Sequence, residues 1–188
     1  MNKAIDKSPY SGKTRVEESR WFAVYTRYKR EKLIYRRLRE KGIETYLPLQ
    51  EFTRHYKSKK RLVELPLISC YLFTKITKKE QVPVLETPDV VQFVKFANQM
   101  IPIPNVEIQL MRRIVGEKME LEVEPAGFRE GEEVEIMAGD LTGVRGILLQ
   151  QHSKKNFLVE LTHTGYALRM EIDPALLRPL GRQSYRNT

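Results

Sequence analysis

The chain has 188 residues, 41% hydrophobic and 30% charged, a balance that supports one medium domain or two small ones and excludes a wholly disordered polypeptide. No run approaches the roughly 18 apolar residues of a membrane span, and the first twenty residues, MNKAIDKSPYSGKTRVEESR, lack the apolar core of a signal peptide. A single cysteine, Cys70, rules out an internal disulfide and fits a reducing compartment, so a cytoplasmic protein without a membrane partner is expected.

Net charge is +9, and it is unevenly placed. Residues 20–116 carry 20 Lys+Arg against 9 Asp+Glu, whereas residues 125–180 carry 6 against 8. A basic unit followed by a mildly acidic one points to two modules with different partners. The basic one has the charge to meet nucleic acid, since each Lys or Arg at a phosphate releases condensed counterions; a solvated basic surface is the plain alternative.

In chain order, the aromatic and apolar run WFAVYT at 21–26 predicts a first strand. A helix is expected over 28–41, ended by Gly42, the residue that best tolerates a left-handed C-terminal position. Leu33, Ile34 and Leu38 share one side of it, while Lys29, Lys32, Arg36 and Arg39 recur on the other. Strands follow at 45–49 and 62–65 around the polar stretch RHYKSKKR, then at 71–76 and 90–96. A second helix is expected over 106–115, with Asn105 as its N-cap. These elements make an α+β sandwich with a mostly antiparallel sheet. Beyond them, short alternating runs at 134–136, 144–147, 157–161 and 168–172, parted by AGDLTG, HSKKN and HTG, predict a small β-barrel. The organisation expected is an N-terminal arm (1–19), a first domain (20–116), a linker (117–127), the barrel (128–180) and a tail (181–188).

Two patterns carry a resemblance. GEEVEIMAGDLTGVRGI at 131–147 resembles the KOW motif of SH3-like barrels, a strand, a glycine-bearing turn and a second strand. Trp21-Phe-Ala-Val-Tyr25, the basic helix with Glu31-Lys32, Tyr46-Leu-Pro48 and Pro66-Leu67-x-x-x-Tyr71-Leu-Phe73 together resemble the NusG N-terminal domain. The match is nearest to specialised paralogues of the RfaH and UpxY kind and spans residues 20–180. The resemblance implies a transcription elongation or antitermination regulator. Its first domain would bind the clamp helices of the largest RNA polymerase subunit and touch non-template or upstream DNA. Its barrel would recruit a ribosome or a termination factor. By position, Tyr25, Tyr71, Phe73, Val90 and Phe96 are then expected on the polymerase-binding surface. Arg27 and Arg37 are expected at DNA, beside the helix cations Lys29, Lys32, Arg36 and Arg39. Two departures stand out: Glu80–Pro83 replaces the threonine-rich gate-loop segment, and Ile68-Ser69-Cys70 replaces the usual Phe-Pro-Gly or Phe-Pro-Asn.

No P-loop, dinucleotide fingerprint or nucleophile elbow is present. His55, His152 and His163 lack partners at metal-ligand spacing. An enzyme is therefore not expected, nor any cofactor or metal. Two other readings stay open: a housekeeping NusG-type factor, and a ribosome-associated RNA-binding KOW protein, for which a basic barrel would be expected.

Overall fold

The computed structural model describes residues 17–56, 59–117, 121–125, 131–151, 154–161 and 163–180. Most of the expected arm (1–19) and the whole tail (181–188) lie outside them, as does His152. Among the described residues no helix is long and apolar enough to cross a membrane.

The N-terminal part is built on a four-stranded antiparallel sheet in the order β2-β5-β1-β6, with β1 at Arg20–Thr26, β2 at Glu44–Tyr46, β5 at Tyr71–Ile76 and β6 at Val90–Phe93. Because side chains alternate across a strand, Leu72 and Val24 point to one side while Phe73, Ala23 and Trp21 point to the other. Helix α1 (Glu31–Glu40) packs Ile34 and Leu38 against the first side, joined by Val84 of the short α2 (Gln81–Leu85). Helix α3 (Asn105–Gly116) packs Ile108, Met111 and Ile114 on the second.

Local chemistry shifts some boundaries. Residues 27–30 form a turn in which Lys29 takes φ of 61°, so α1 begins at Glu31 rather than 28. At the other end Gly42 has φ of 77°; the amide of Ile43 donates to Leu38 O and that of Gly42 to Arg39 O. This is a Schellman closure, with Ile43 and Leu38 both buried in the same cluster. Asn105 is not the N-cap of α3; Pro104 holds that place, and Asn105 Oδ1 instead accepts from the Trp21 indole at 3.2 Å. Residues 54–56 and 59–61, between the expected strands 45–49 and 62–65, are also strand: β3 (Leu49–Tyr56) and β4 (Lys59–Pro66) pair in a two-stranded ribbon of their own.

The C-terminal part is a six-stranded antiparallel sheet in the order β12-β8-β9-β10-β11-β7, where the alternation predicted a small β-barrel and the KOW resemblance implied an SH3-like one. Its strands are β8 (Glu132–Ile136), β9 (Arg145–Gln151), β10 (Lys154–Leu161), β11 (Tyr166–Glu171) and β12 (Leu177–Pro179), with β7 at Leu121–Pro125. Gly146 in β9 is needed for close approach: a Cβ there would run into the Leu158 carbonyl and the Phe157 ring. Strand β7 falls inside the stretch read as linker. Its acidic composition hid a two-residue alternation, with Leu121 buried on one side and Glu124 on the other, half-buried in an ion pair with Arg169 at 2.7 Å.

The two parts share a core. One cluster of buried side chains runs from Trp21, Leu67 and Phe73 through Ile108, Met111 and Ile114 into Leu121, Val134, Phe157 and Leu168.

Candidate docking face and basic surface

The α3-side face of the sheet is aromatic and carries polar handles. Phe73 is fully buried and stacks on Tyr46 with centroids 6.2 Å apart. The Arg112 guanidinium of α3 stands over both Trp21 and Tyr46, 5.6 and 5.0 Å from the ring centroids, geometry suited to cation–π attraction. Toward the sheet's end the rings run in file. Tyr25, 38% exposed, meets Tyr71 edge-on at 5.6 Å, and Tyr71 meets Tyr166 of β11 edge-on at 5.3 Å. Burial, with Tyr166 beside it, pushes the Tyr71 hydroxyl pKa well above the usual tyrosine range.

Around this file the C-terminal sheet is tied down by polar contacts. The Glu107 carboxylate on α3 accepts the His163 backbone amide at 3.2 Å and lies 2.5 Å from His163 Nδ1. Arg113 Nη2 donates to the carbonyls of Asp140 and Thr142, both at 2.9 Å. Phe96 reaches the β10–β11 turn, where a Cβ on Gly165 would touch its ring at 3.5 Å.

Of the five residues expected on the docking surface, the structure thus brings Tyr25, Tyr71 and Phe96 to one edge. Phe73 shares their face but is sealed beneath it. Val90 is set apart. A register shift between Tyr25 and Thr26 pairs Tyr25 with Gln92 but Thr26 with Val90. Such a bulge reverses the side to which the following residue points, and Val90 packs at the margin of the α1-side cluster. Tyr166, Glu107, His163 and Arg113 gave no sign of their role in the sequence beyond the HTG turn signal, because what they do depends on a contact between the two parts.

The cations expected at DNA divide in a similar way. Lys32, Arg36 and Arg39 are exposed along α1, and Arg27 and Lys29 are exposed before it. Lys29 stands in the turn, its Nζ 5.1 Å from the Tyr28 ring centroid, and is not part of the helical stripe. Arg37 is occupied: its Nη1 donates to Pro88 O at 3.1 Å and pairs with Asp89 at 3.3 Å, fastening α1 to the start of β6. Lys32 reaches Glu64 of β4 at 3.4 Å, so the stripe adjoins the base of the β3–β4 ribbon.

The turn at Ile68-Ser69-Cys70 keeps the backbone that a glycine would favour. Cys70 has φ of 65°, and its amide donates to the buried Glu31 carboxylate at 2.8 Å. Burial chiefly, and then the Glu31 charge, raises the thiol pKa, the opposite of what activates a cysteine nucleophile. Among the described residues no group of His, Cys, Asp or Glu is arranged to hold a metal ion.

Residues 19–112 match the family model described as "Transcription termination factor nusG", a span of half the chain that covers the sheet, the ribbon, α1, α2 and the first part of α3. The chain belongs to the NusG family. A NusG-family factor is a regulator of transcription elongation, and the fold agrees. Thermotoga maritima NusG, in a structure named for its domain interaction, is 18% identical with a TM-score of 0.55, over 87% of this chain and 98% of that one. A chain of the MjSpt4:Spt5 complex in conformation B is also 18% identical, over 86% and 97%, with a TM-score of 0.31. None of the curated proteins matches this NusG-family chain.

Proposed function

We propose that this protein is a non-catalytic elongation or antitermination regulator whose N-terminal part binds the clamp helices of RNA polymerase through the edge formed by Tyr25, Tyr71 and Phe96. The supporting observation is the aromatic file Tyr25–Tyr71–Tyr166. Tyr25 is open, and Tyr71 is covered by Tyr166 of the protein's own C-terminal sheet. Large amphipathic rings are the side chains that anchor desolvated interfaces. The C-terminal sheet occupies the place a partner would take, so docked barrel and clamp helices compete. Phe73 serves this surface from below by holding Tyr46 and the sheet in place. The cations Arg27, Lys32, Arg36 and Arg39 face non-template or upstream DNA. The barrel, once released, recruits a ribosome or a termination factor. The UpxY-like strand sequences and the stretch before β1 favour an operon-specific cytoplasmic regulator.

The test is capture of full-length protein on an immobilised clamp-helix fragment, with a thermal melt of each variant. Tyr71→Ala should lose about 2 kcal/mol of binding, near thirty-fold in affinity. Tyr166→Ala should bind more tightly than wild type, because a larger fraction of molecules is then competent. A folded Tyr71→Ala protein with wild-type affinity would overturn the assignment.

A further inference from the structure

Among the described residues five other than glycine take a left-handed backbone, and two of them flank the end of β1. Cys70, with φ of 65°, closes the turn into β5 on one side; Asp89, with φ of 75°, precedes β6 on the other. Such a backbone is disfavoured for a residue that carries a Cβ, and it persists only where the surroundings hold it. Both turns are held in the same way. From β1, consecutive amides reach their carbonyls: Thr26 N donates to Cys70 O at 2.8 Å and Arg27 N to Asp89 O at 2.9 Å. From α1, one side chain of the first turn and one of the last complete the hold. The Glu31 carboxylate accepts the Cys70 amide at 2.8 Å. Arg37 Nη1 donates to Pro88 O at 3.1 Å and pairs with Asp89 at 3.3 Å. Glu31 is only 3% exposed, a costly place for a carboxylate unless it is partnered. Glycine at 70 would take the same φ without any tie; this chain instead has a side chain there and a buried acid to hold it.

What these ties fix is the end of the sheet where the docking rings stand. Tyr71 follows Cys70 directly and lies opposite Tyr25 in the ladder, and the two rings meet edge-on at 5.6 Å. The Cys70 thiol is itself within hydrogen-bonding reach of Tyr25. On the other side Tyr25 pairs with Gln92 and Thr26 with Val90, the residue that follows Asp89. We infer that Glu31 and Arg37 are positioning residues of the aromatic edge: by holding two strained turns, α1 fixes where Tyr25 and Tyr71 present their rings. The inference rests on the docking role proposed for that edge. It adds that a helix packed on the opposite side of the sheet sets the affinity of the edge without touching the partner.

The experiment is a pair of double-mutant cycles on the full-length protein, run well below the melting temperature of every variant. Affinity for an immobilised clamp-helix fragment is measured beside nuclear Overhauser cross-peaks between the Tyr25 and Tyr71 rings and exchange of the Thr26 and Arg27 amides. Glu31→Ala should weaken binding about tenfold, since it displaces anchor rings, lose the cross-peaks and speed exchange at Thr26. Added to Cys70→Gly, which takes the left-handed backbone unaided, the same change should cost less than about twofold and leave the cross-peaks as they are in Cys70→Gly. Glu31→Gln keeps an oxygen for the Cys70 amide and should retain the cross-peaks. Arg37→Ala should weaken binding about threefold and speed exchange at Arg27, with little further effect when added to Asp89→Gly. Wild-type affinity in both alanine variants, or equal losses in the wild-type and glycine backgrounds, would overturn the positioning role. If wild-type protein itself fails to bind the fragment, the docking reading falls, and the rings and amides decide the inference. Cross-peaks and exchange unchanged in Glu31→Ala and Arg37→Ala then overturn it, whereas their loss and recovery with glycine at 70 and 89 upholds it.

Discussion

The two sides of the four-stranded sheet are buried by the same physical effect but with different materials. The α1 side is sealed by Val24, Ile34, Leu38, Ile43, Leu47, Leu72, Ile76, Val84 and Phe93, all with purely hydrocarbon side chains. On the α3 side Ile108, Met111 and Ile114 pack with the rings of Trp21, Tyr46, Tyr71 and Phe73, and the periphery is held by Arg112, Arg113 and the Glu107–His163 contact. Hydrocarbon gains nothing from water, so the first side has no favourable open state. Tyrosine hydroxyls, guanidinium groups and carboxylates can exchange their protein partners for water at small net cost. The first side is built to stay closed, and the second is built so that its outer layer can leave.

The strongest way to break this contrast is truncation inside each layer. Leu72→Ala should lose roughly 2–5 kcal/mol by opening a cavity against α1, and Phe73→Ala roughly 3–5 kcal/mol, because that ring is equally buried beneath α3. Denaturant unfolding of both variants checks this; a Phe73→Ala protein as stable as wild type would show that its side of the sheet is loose throughout, not only at its periphery.

A smaller effect sharpens the comparison at the contact between the two parts. Glu107→Gln removes the charge that faces His163 but keeps the shape, and a hydrogen bond to a charged group is worth about 1.5–3 kcal/mol. Hydrogen exchange should then speed up around the β10–β11 turn while amides of α1 and β5 keep their protection. Uniform acceleration across both parts would mean that the two sides of the sheet open as one unit.

The smallest expected effect is in alkaline solution. Burial raises the hydroxyl pKa of Tyr71, and burial, opposed by Arg112, raises that of Tyr46. A folded value above the unfolded one, near 10, means a contribution to stability that is fully present below pH ~10 and lost as pH rises further. Ultraviolet titration of the nine tyrosines should therefore show Tyr71 and Tyr46 ionising late. Tyr71→Phe should remove one of them and leave the other, and a spectrum in which all nine titrate together would remove this distinction between the two sides.

Much of this architecture was legible in one dimension because it rests on periodicity and local chemistry. The run YLFTKI predicted β5 residue for residue, and its alternation separated Leu72 from Phe73. Gly42 ended α1 as its conformational freedom suggested. The spacing of glycine and aliphatic residues from Gly131 to Ile147 marked the KOW-type strand pair β8–β9. Other features depend on contacts between residues far apart in the chain. A bulge at Tyr25/Thr26 moved Val90 to the other side of the sheet. Asp89 and Pro88, fifty residues away, took Arg37. Pairing with β11 turned an acidic stretch into β7. By itself the sequence determined which elements form and which side of each is apolar, because those follow from the rotation per residue and from local turn chemistry. Only the tertiary structure decided that the barrel sits on the aromatic side of the sheet, because that depends on Tyr71 meeting Tyr166 and Glu107 meeting His163, residues whose spacing along the chain carries no periodic signal.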